Sequence, residues 1–291
     1  MTNATPAGRK TTQFAWILVL PVVVLVLAVG VYPVTYAIQF SLSDSIVFTR
    51  TEYVGLANYH KLLNWSVLRN VVASLVFVLG STFIAVGAGL ALALILNEKL
   101  ALRTTVRTVI FIPWVVSEIA VALIWRWLVN PDYGPVVYAL KAAGFPRFDF
   151  LGDASLAMTT LVLANVWRSV AFAMIILLAA LQGIPDNVLR AAQVDGATGW
   201  RAFWSVKLPL LMPSIVICAM LSSFSYFNIV TLPLVLTGGG PMDATEVLTL
   251  RMYQEGFNYF NVGFASALTM LILLMNVLLT VAYLKVPHER V

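Results

Sequence analysis

Two ionisable residues, Glu118 and Arg168, each stand near the middle of a run that otherwise reads as hydrocarbon. On insertion scales such a group costs about 2.5–3.5 kcal/mol at mid-membrane, so each needs a partner or a wet cavity. Similar depth leaves two uses: they pair with each other, or they flank a solute path. Around Arg168, the residues Asn165, Ser169 and Phe172 recur at helical spacing. A second polar set, Ser222, Ser225, Tyr226 and Asn228, lies in a later run. Amides and hydroxyls supply hydrogen-bond partners, and aromatic rings supply an apolar face for a hydroxyl-bearing ligand. The same residue types also bond helix to helix in membrane bundles. Catalytic groupings are missing from the sequence. The one cysteine, Cys218, sits inside an apolar run, His60 and His288 are far apart, and neither a Ser–His–Asp set nor a metal-ligand spacing occurs. A membrane enzyme is therefore a poor reading.

The elements that must position these residues are membrane helices. Of 291 residues, 60% are hydrophobic and only 11% charged, well below the charge of a soluble domain. The net charge of +5 need not mean nucleic acid, because basic cytoplasmic loops alone tilt the balance of a thinly charged membrane chain. A span needs roughly 20 mostly apolar residues. Six stretches qualify: 14–40, 71–96, 106–128, 156–181, 210–236 and 262–284. Short tails at 1–13 and 286–291 flank the membrane region 14–285. The first run is too long for a signal-peptide core and has no small-residue cleavage site, so it reads as a retained span. With the N-terminus inside, the inner segments hold Arg9, Lys10, Lys99, Arg103, Arg107, Arg190, Arg201, Lys207, Lys285 and Arg290; the longer outer segments hold fewer basic residues. Both termini are expected in the cytoplasm. Gly80 and Gly87, like Ser81 and Ala88, lie a heptad apart in the second span, a spacing that permits close helix packing.

Between the fourth and fifth runs lies RAAQVDGATGWRAFWSVKLP, Arg190–Pro209, within a polar segment 182–209. Pro185 and Asp186 suit a helix start. Val188, Leu189, Ala191, Ala192 and Val194 give that helix a small apolar side, and Gly196 stops it. Thr198 is expected to cap a second short helix bearing Trp200, Phe203 and Trp204, before Pro209 opens the next span. Paired alanines permit close approach to a partner groove. An amphipathic loop lying on the membrane surface is the alternative.

This segment resembles the EAA loop of ABC importer permeases. That signature runs E-A-A, three residues, G, nine residues, I, one residue, L-P. Ala191, Ala192, Gly196, Leu208 and Pro209 match in register, Val206 stands for the isoleucine, and Arg190 stands for the glutamate. Ile184–Pro185, the run Asp195–Ala197 and LTGGGP at Leu236–Pro241 resemble the carbohydrate-uptake branch, the family of maltose and glycerol-3-phosphate permeases. The resemblance implies an all-α membrane protein with six transmembrane helices and the type I ABC importer permease fold.

It also implies a division of labour. Arg190, Ala191, Ala192, Asp195 and Gly196 would meet a cytoplasmic ATPase, with the charge at Arg190 reversed from the family pattern. The implied partners are a second permease subunit in a heterodimer, two ATP-binding subunits and an extracytoplasmic solute-binding protein, in the lipid of a bacterial or archaeal cytoplasmic membrane. No nucleic acid enters, and no cofactor belongs to this chain: ATP and magnesium would sit in the partner ATPase. GRKTT at Gly8–Thr12 is a poor phosphate loop that lacks the first glycine. The expected solute path comprises Asn165, Arg168, Ser169, Phe172, Ser225, Tyr226, Asn228 and Glu118. In the similar maltose permease an asparagine of this helix lines the sugar pocket, and Asn165 matches it through N-x-W. The substrate expected is a sugar, oligosaccharide or polyol. An anionic substrate such as glycerol-3-phosphate is the alternative, and an ion-coupled secondary transporter is a further one.

Overall fold

The structure, a computed structural model, describes residues 6–46, 49–98 and 102–285. Lys99, His288, Arg290 and the tail 286–291 lie outside the described residues. In chain order the elements are α1 (Pro6–Ser41), β1 (Ser43–Ile46), β2 (Thr49–Tyr53), α2 (Ala57–Leu62), α3 (Trp65–Asn97), α4 (Arg103–Val115) and α5 (Glu118–Leu128). Then follow α6 (Pro135–Ala142), α7 (Ala154–Gln182), α8 (Asp186–Val194), α9 (Gly199–Ala202), α10 (Leu208–Phe227), α11 (Thr231–Leu236), α12 (Leu248–Tyr253) and α13 (Val262–Leu284). Five of the described helices are long and apolar enough to cross a bilayer, and the pair α4–α5 makes a sixth if its two arms count as one span. Gly8–Thr12 lies in α1, so this backbone forms no phosphate-cradling loop.

Two compact units divide the chain. The first holds residues up to Leu62 and the segment 255–270. Here β1 and β2 form an antiparallel hairpin. Asn58 ties it down by donating through Nδ2 to the carbonyls of Ser41 and Ser43, each at 3.1 Å. Gly263 lies directly against the Ser43 carbonyl, where a Cβ would collide.

The second unit holds the helices around the polar mid-membrane residues. α3 and α7 pack along most of their lengths. The side of α3 that faces α7 is a ladder of small residues: Ser81, Ala85, Gly89 and Ala93, the first, second and fourth of them fully buried. Close packing of this kind replaces the hydrophobic drive that lipid does not supply. The heptad pair divides: a Cβ on Gly80 would touch Val162 of α7 at 3.8 Å, so only the Gly87 half of that reading is corrected. A Cβ on Gly87 would meet nothing within 4 Å, whereas one on Gly89 would come within 2.6 Å of Ala173 Cβ and 2.9 Å of the Met174 backbone nitrogen.

Two further expectations are corrected. The stretch 106–128 is not one rod: α4 and α5 meet at 99°. Pro113 removes a backbone donor in the last turn of α4, and Ser117 starts α5 by accepting from the Ala120 N–H at 3.3 Å. The stretch 210–236 also ends early, because α10 stops at Phe227 and α11 begins only at Thr231.

A buried polar cluster holds the segment after TGGGP. Asn70 Nδ2 donates to the Glu246 carbonyl at 2.7 Å and to its Oε2 at 2.8 Å. Arg251 Nη1 lies 3.5 Å from the same carboxylate. Ser74 Oγ accepts from the Leu248 N–H at 2.7 Å. Truncating one partner of a buried charged group leaves the other unsatisfied, at about 1–3 kcal/mol or more. Asn70→Ala is therefore expected to lower the thermal midpoint of the purified protein, while Asn70→Asp, which sets two carboxylates together, lowers it further. Equal midpoints for wild type and both variants would show that the cluster carries no stability. At the start of α7, Asp153 Oδ1 accepts from the Leu156 and Ser155 N–H groups at 2.9 Å each. The Leu156 N–H first, then the Ser155 hydroxyl, which donates to the same oxygen at 2.8 Å, and least the Ser155 N–H, hold its carboxyl below the ordinary value. The capping stability is complete above the unfolded value and is lost as pH falls through the folded one.

Candidate functional site: a polar cavity and an exposed polar helix

Arg168 and Glu118 are paired. Arg168 Nη2 lies 3.3 Å from Glu118 Oε1, with side chains 15% and 29% exposed. The pairing depends on the α4–α5 break. Glu118 is the first residue of α5 rather than the centre of a continuous span, a place where the helix dipole favours a carboxylate. The bend turns this helix start toward α7.

A cavity of about 330 Å³ opens beside the pair. Arg168, Ser169, Phe172, Ser225 and Tyr226, five of the expected path residues, line it together with Trp114, Leu221 and Ser222. Its hydroxyls are ordered: Tyr226 OH donates to Ser169 Oγ at 2.7 Å, and Ser169 Oγ donates to the Asn165 carbonyl at 2.6 Å. Trp114 and Phe172 bring aromatic faces. Trp114 was missed in the sequence, although its place directly after Pro113 marks it as a residue aimed by a helix end. Such a cavity offers donors and acceptors to hydroxyls, ring faces to C–H surfaces, and a cation whose charge is already compensated.

Two expected path residues lie elsewhere. Asn165 is fully buried, and neither polar atom of its side chain has a partner among the described residues. It lines no part of the cavity in this conformation. Asn228 caps the end of α10, exposed, with Nδ2 donating to the Phe224 carbonyl at 2.7 Å. The resemblance to the maltose permease placed both on the path; here Asn165 turns to the covered side of α7 and Asn228 lies past the last turn of α10.

The polar segment folds as expected up to Gly196. α8 ends with Gly196 at φ +77°. Gly196 N–H bonds the Gln193 carbonyl at 3.1 Å, and Ala197 N–H bonds the Ala192 carbonyl at 2.8 Å. This is a Schellman close, which requires the left-handed residue at that place. The two alanines differ: Ala191 is exposed, while Ala192 is buried against its own chain. Arg190 and Asp195 are exposed as well. Val194 is 87% exposed and Trp200 73% exposed, an uncommon display for a segment this polar.

The second short helix is not separate, which corrects the sequence reading. α9 runs through a wide π turn, Phe203–Lys207, into α10 without interruption. The Leu208 N–H bonds the Phe203 carbonyl across that turn. Pro209 lacks an N–H and would crowd the carbonyl four residues before it in a regular helix, so the widened turn accommodates it. The Thr198 side chain makes no capping bond.

Known proteins share this sequence and fold. Residues 84–286 match the family described as binding-protein-dependent transport system inner membrane component. The trehalose/maltose transport system permease protein MalF of Thermococcus litoralis is 33% identical over 290 residues, covering 97% of this chain and 96% of that protein. The sn-glycerol-3-phosphate transport system permease protein UgpA of Agrobacterium fabrum is 28% identical over 279 residues, covering 95% of each. In three dimensions the chain is similar to one from a bacterial alginate ABC transporter in complex with an alginate pentasaccharide-bound periplasmic protein. That likeness has a TM-score of 0.78 at 21% identity, covers 94% of this chain and 93% of the other, and concerns the fold. The sequence match spans the cavity, the exposed segment and four of the membrane helices, and on that ground this chain belongs to the family of binding-protein-dependent transport system inner membrane components.

Proposed function

We propose that the chain is a solute-conducting subunit of an ABC importer for a neutral, hydroxyl-rich solute, a sugar, oligosaccharide or polyol. The observation that carries the substrate class is the Glu118–Arg168 pair at 3.3 Å. With its charge met by Glu118, Arg168 offers hydrogen bonds without an unbalanced cation. The remaining polar groups of the cavity are uncharged, the hydroxyls of Ser169, Ser222, Ser225 and Tyr226 and the indole of Trp114. Similarity to the trehalose/maltose permease supports the same reading. Similarity to UgpA favours a second one, in which a phosphate monoester displaces Glu118 from Arg168.

Energy enters through a partner. Arg190, Ala191, Asp195 and Gly196 form the ATPase contact, with Val194 and Trp200 as exposed apolar anchors; Ala192 supports the helix from within. ATP and magnesium belong to that partner. Among the described residues no group of three His, Cys, Asp or Glu side chains could hold a metal ion. The assembly comprises this chain, a second permease subunit, two ATP-binding subunits and an extracytoplasmic solute-binding protein. Its place is the cytoplasmic membrane of a bacterium or archaeon with both termini inside, as the distribution of Lys and Arg favours.

The test is uptake by the purified assembly in proteoliposomes, with labelled trehalose, maltose and glycerol-3-phosphate as probes. ATP-dependent uptake of a neutral sugar, unaffected by collapse of ion gradients, is the expected result. Uptake driven by an ion gradient without ATP would replace the importer with a secondary transporter, and preference for glycerol-3-phosphate would reverse the substrate class. The pair itself gives a further prediction. Glu118→Gln and Arg168→Gln each leave one charge unmatched at depth, so each single variant is less stable than the double variant. A double variant no more stable than the worse single one would show that the two side chains do not act as a pair.

A further inference from the structure

A second opening, about 400 Å³, lies further along the same two helices, bordered by Arg107, Thr108, Phe111, Ile175, Ala179 and Gln182. Its register with the cavity is set by helix geometry. On α7 the sequence Arg168, Phe172, Ile175, Ala179, Gln182 advances by four and three residues alternately, which keeps one narrow stripe. On α4 the residues Arg107, Phe111 and Trp114 do the same. The rings of Phe111 and Trp114 lie 4.9 Å apart, between the two openings. Cavity and opening are thus two parts of one seam. Ile175, Ala179 and Gln182 are exposed on a helix whose other faces, through Ala173, Met174, Leu177 and Leu181, are buried.

An exposed stripe on a membrane helix ordinarily meets lipid. This one has a cation at each end. Arg168 is matched by Glu118. At the other end Arg107 donates through Nη2 to the Leu96 carbonyl at 3.0 Å, and its buried Nε has no partner among the described residues. An ionisable side chain within a membrane segment faces a protein interior or a water-filled cavity, as Arg168 does, and Arg107 stands at the expected cytoplasmic end of its span.

We propose that the α4–α7 seam is a water-filled exit route, and that Arg107, Thr108 and Gln182 form a second contact for the hydroxylated solute on the cytoplasmic side. This rests on the importer reading. The solute leaves the cavity past Trp114 and Phe111, whose faces accept its C–H surface. It regains hydrogen bonds at Arg107, Thr108 and Gln182 before release.

The test needs no substrate. The native Cys218 is buried and free, so single cysteines can be placed in the assembled transporter at Ile175, Ala179 and Gln182. Inside-out vesicles are then treated with membrane-impermeant methanethiosulfonates. Phe83→Cys and Leu274→Cys, at exposed all-apolar positions, serve as lipid controls. Reaction at all three seam positions, at least tenfold faster than at the controls, is the expected result. Ile175→Cys and Ala179→Cys as silent as the controls, controls that react equally, or reaction only from the outer face would overturn the route. Arg107 adds a signature. A sulfonate reagent should react severalfold faster than a trimethylammonium reagent at Ala179→Cys, and Arg107→Gln should abolish the difference; equal rates without that substitution would remove Arg107 from the contact. Failure of the importer reading is separable. A seam that labels in vesicles whose uptake ignores ATP overturns that reading alone, and ATP-driven uptake with an unlabelled seam overturns the route alone.

Discussion

Gly196→Val is expected to cut ATP-driven uptake by tenfold or more while ATP hydrolysis by the assembly continues. Gly196 closes α8 at φ +77°, and its two neighbouring backbone bonds depend on that conformation. A Cβ at this position would meet nothing within 4 Å, so crowding is not the cause. The cost is the backbone itself, about 1–2 kcal/mol for a side chain forced into the left-handed region, and a shift of 1.4 kcal/mol is about tenfold in an equilibrium. The chain can escape by opening the turn, which re-aims α8 and with it Arg190, Ala191 and Asp195. A substitution series separates this from a general loss of folding. Gly196→Asn should retain most uptake, because asparagine tolerates positive φ; Gly196→Ala should fall between. Uptake and hydrolysis are measured together in proteoliposomes. Wild-type uptake by Gly196→Val would remove α8 from energy coupling, and a parallel fall in both quantities across the series would mean that the turn serves stability only.

Gly89→Val is expected to have the largest effect on stability. At Gly89 α3 and α7 approach closely: an added Cβ would come within 2.9 Å of the Met174 backbone nitrogen and 2.6 Å of Ala173 Cβ. Neither neighbour is the end of a flexible side chain, so the helices must separate. Separation would loosen the contacts of Ala85 and Ala93 along the same ladder. Overpacking typically costs about 1–3 kcal/mol, and a rigid backbone neighbour puts this site at the upper end. Gly87→Val, two residues away but facing open space, is the matched control and should be nearly neutral. Thermal unfolding of the purified complex checks both. Equal midpoints for the two variants would show that the α3–α7 approach does not limit stability.

The cavity and the exposed polar segment were legible to different degrees. Arg168, Ser169, Phe172, Ser225 and Tyr226, set on two helices, line one cavity. Tyr226 reaches Ser169 across those helices, a contact no single-helix pattern contains. Asn165 shares the stripe of Arg168 loosely and is buried instead, because the neighbouring helices cover that side of α7. Ala191 and Ala192 read alike in sequence, yet a 100° step around α8 exposes one and buries the other.

By itself the sequence determined what a one-dimensional sum can settle. Hydropathy placed the apolar stretches because insertion depends on total transfer free energy along a segment, whatever its neighbours. Gly196 announced its turn because only backbone sterics are involved. Glu118 and Arg168 each announced the need for a partner or a wet cavity, because an ionisable group costs about 2.5–3.5 kcal/mol at mid-membrane, and the structure showed that they meet each other. Tertiary structure alone decided where the helices bend and which of their sides touch protein. The 99° break between α4 and α5 and the continuous helix through Pro209 are choices among backbones that the local residues permit equally. Gly89, rather than Gly87, became the contact for a simpler reason. In a membrane helix the lipid side and the buried side are both apolar, so the period that reveals the inner face of a soluble helix is absent, and only packing against α7 tells the two glycines apart.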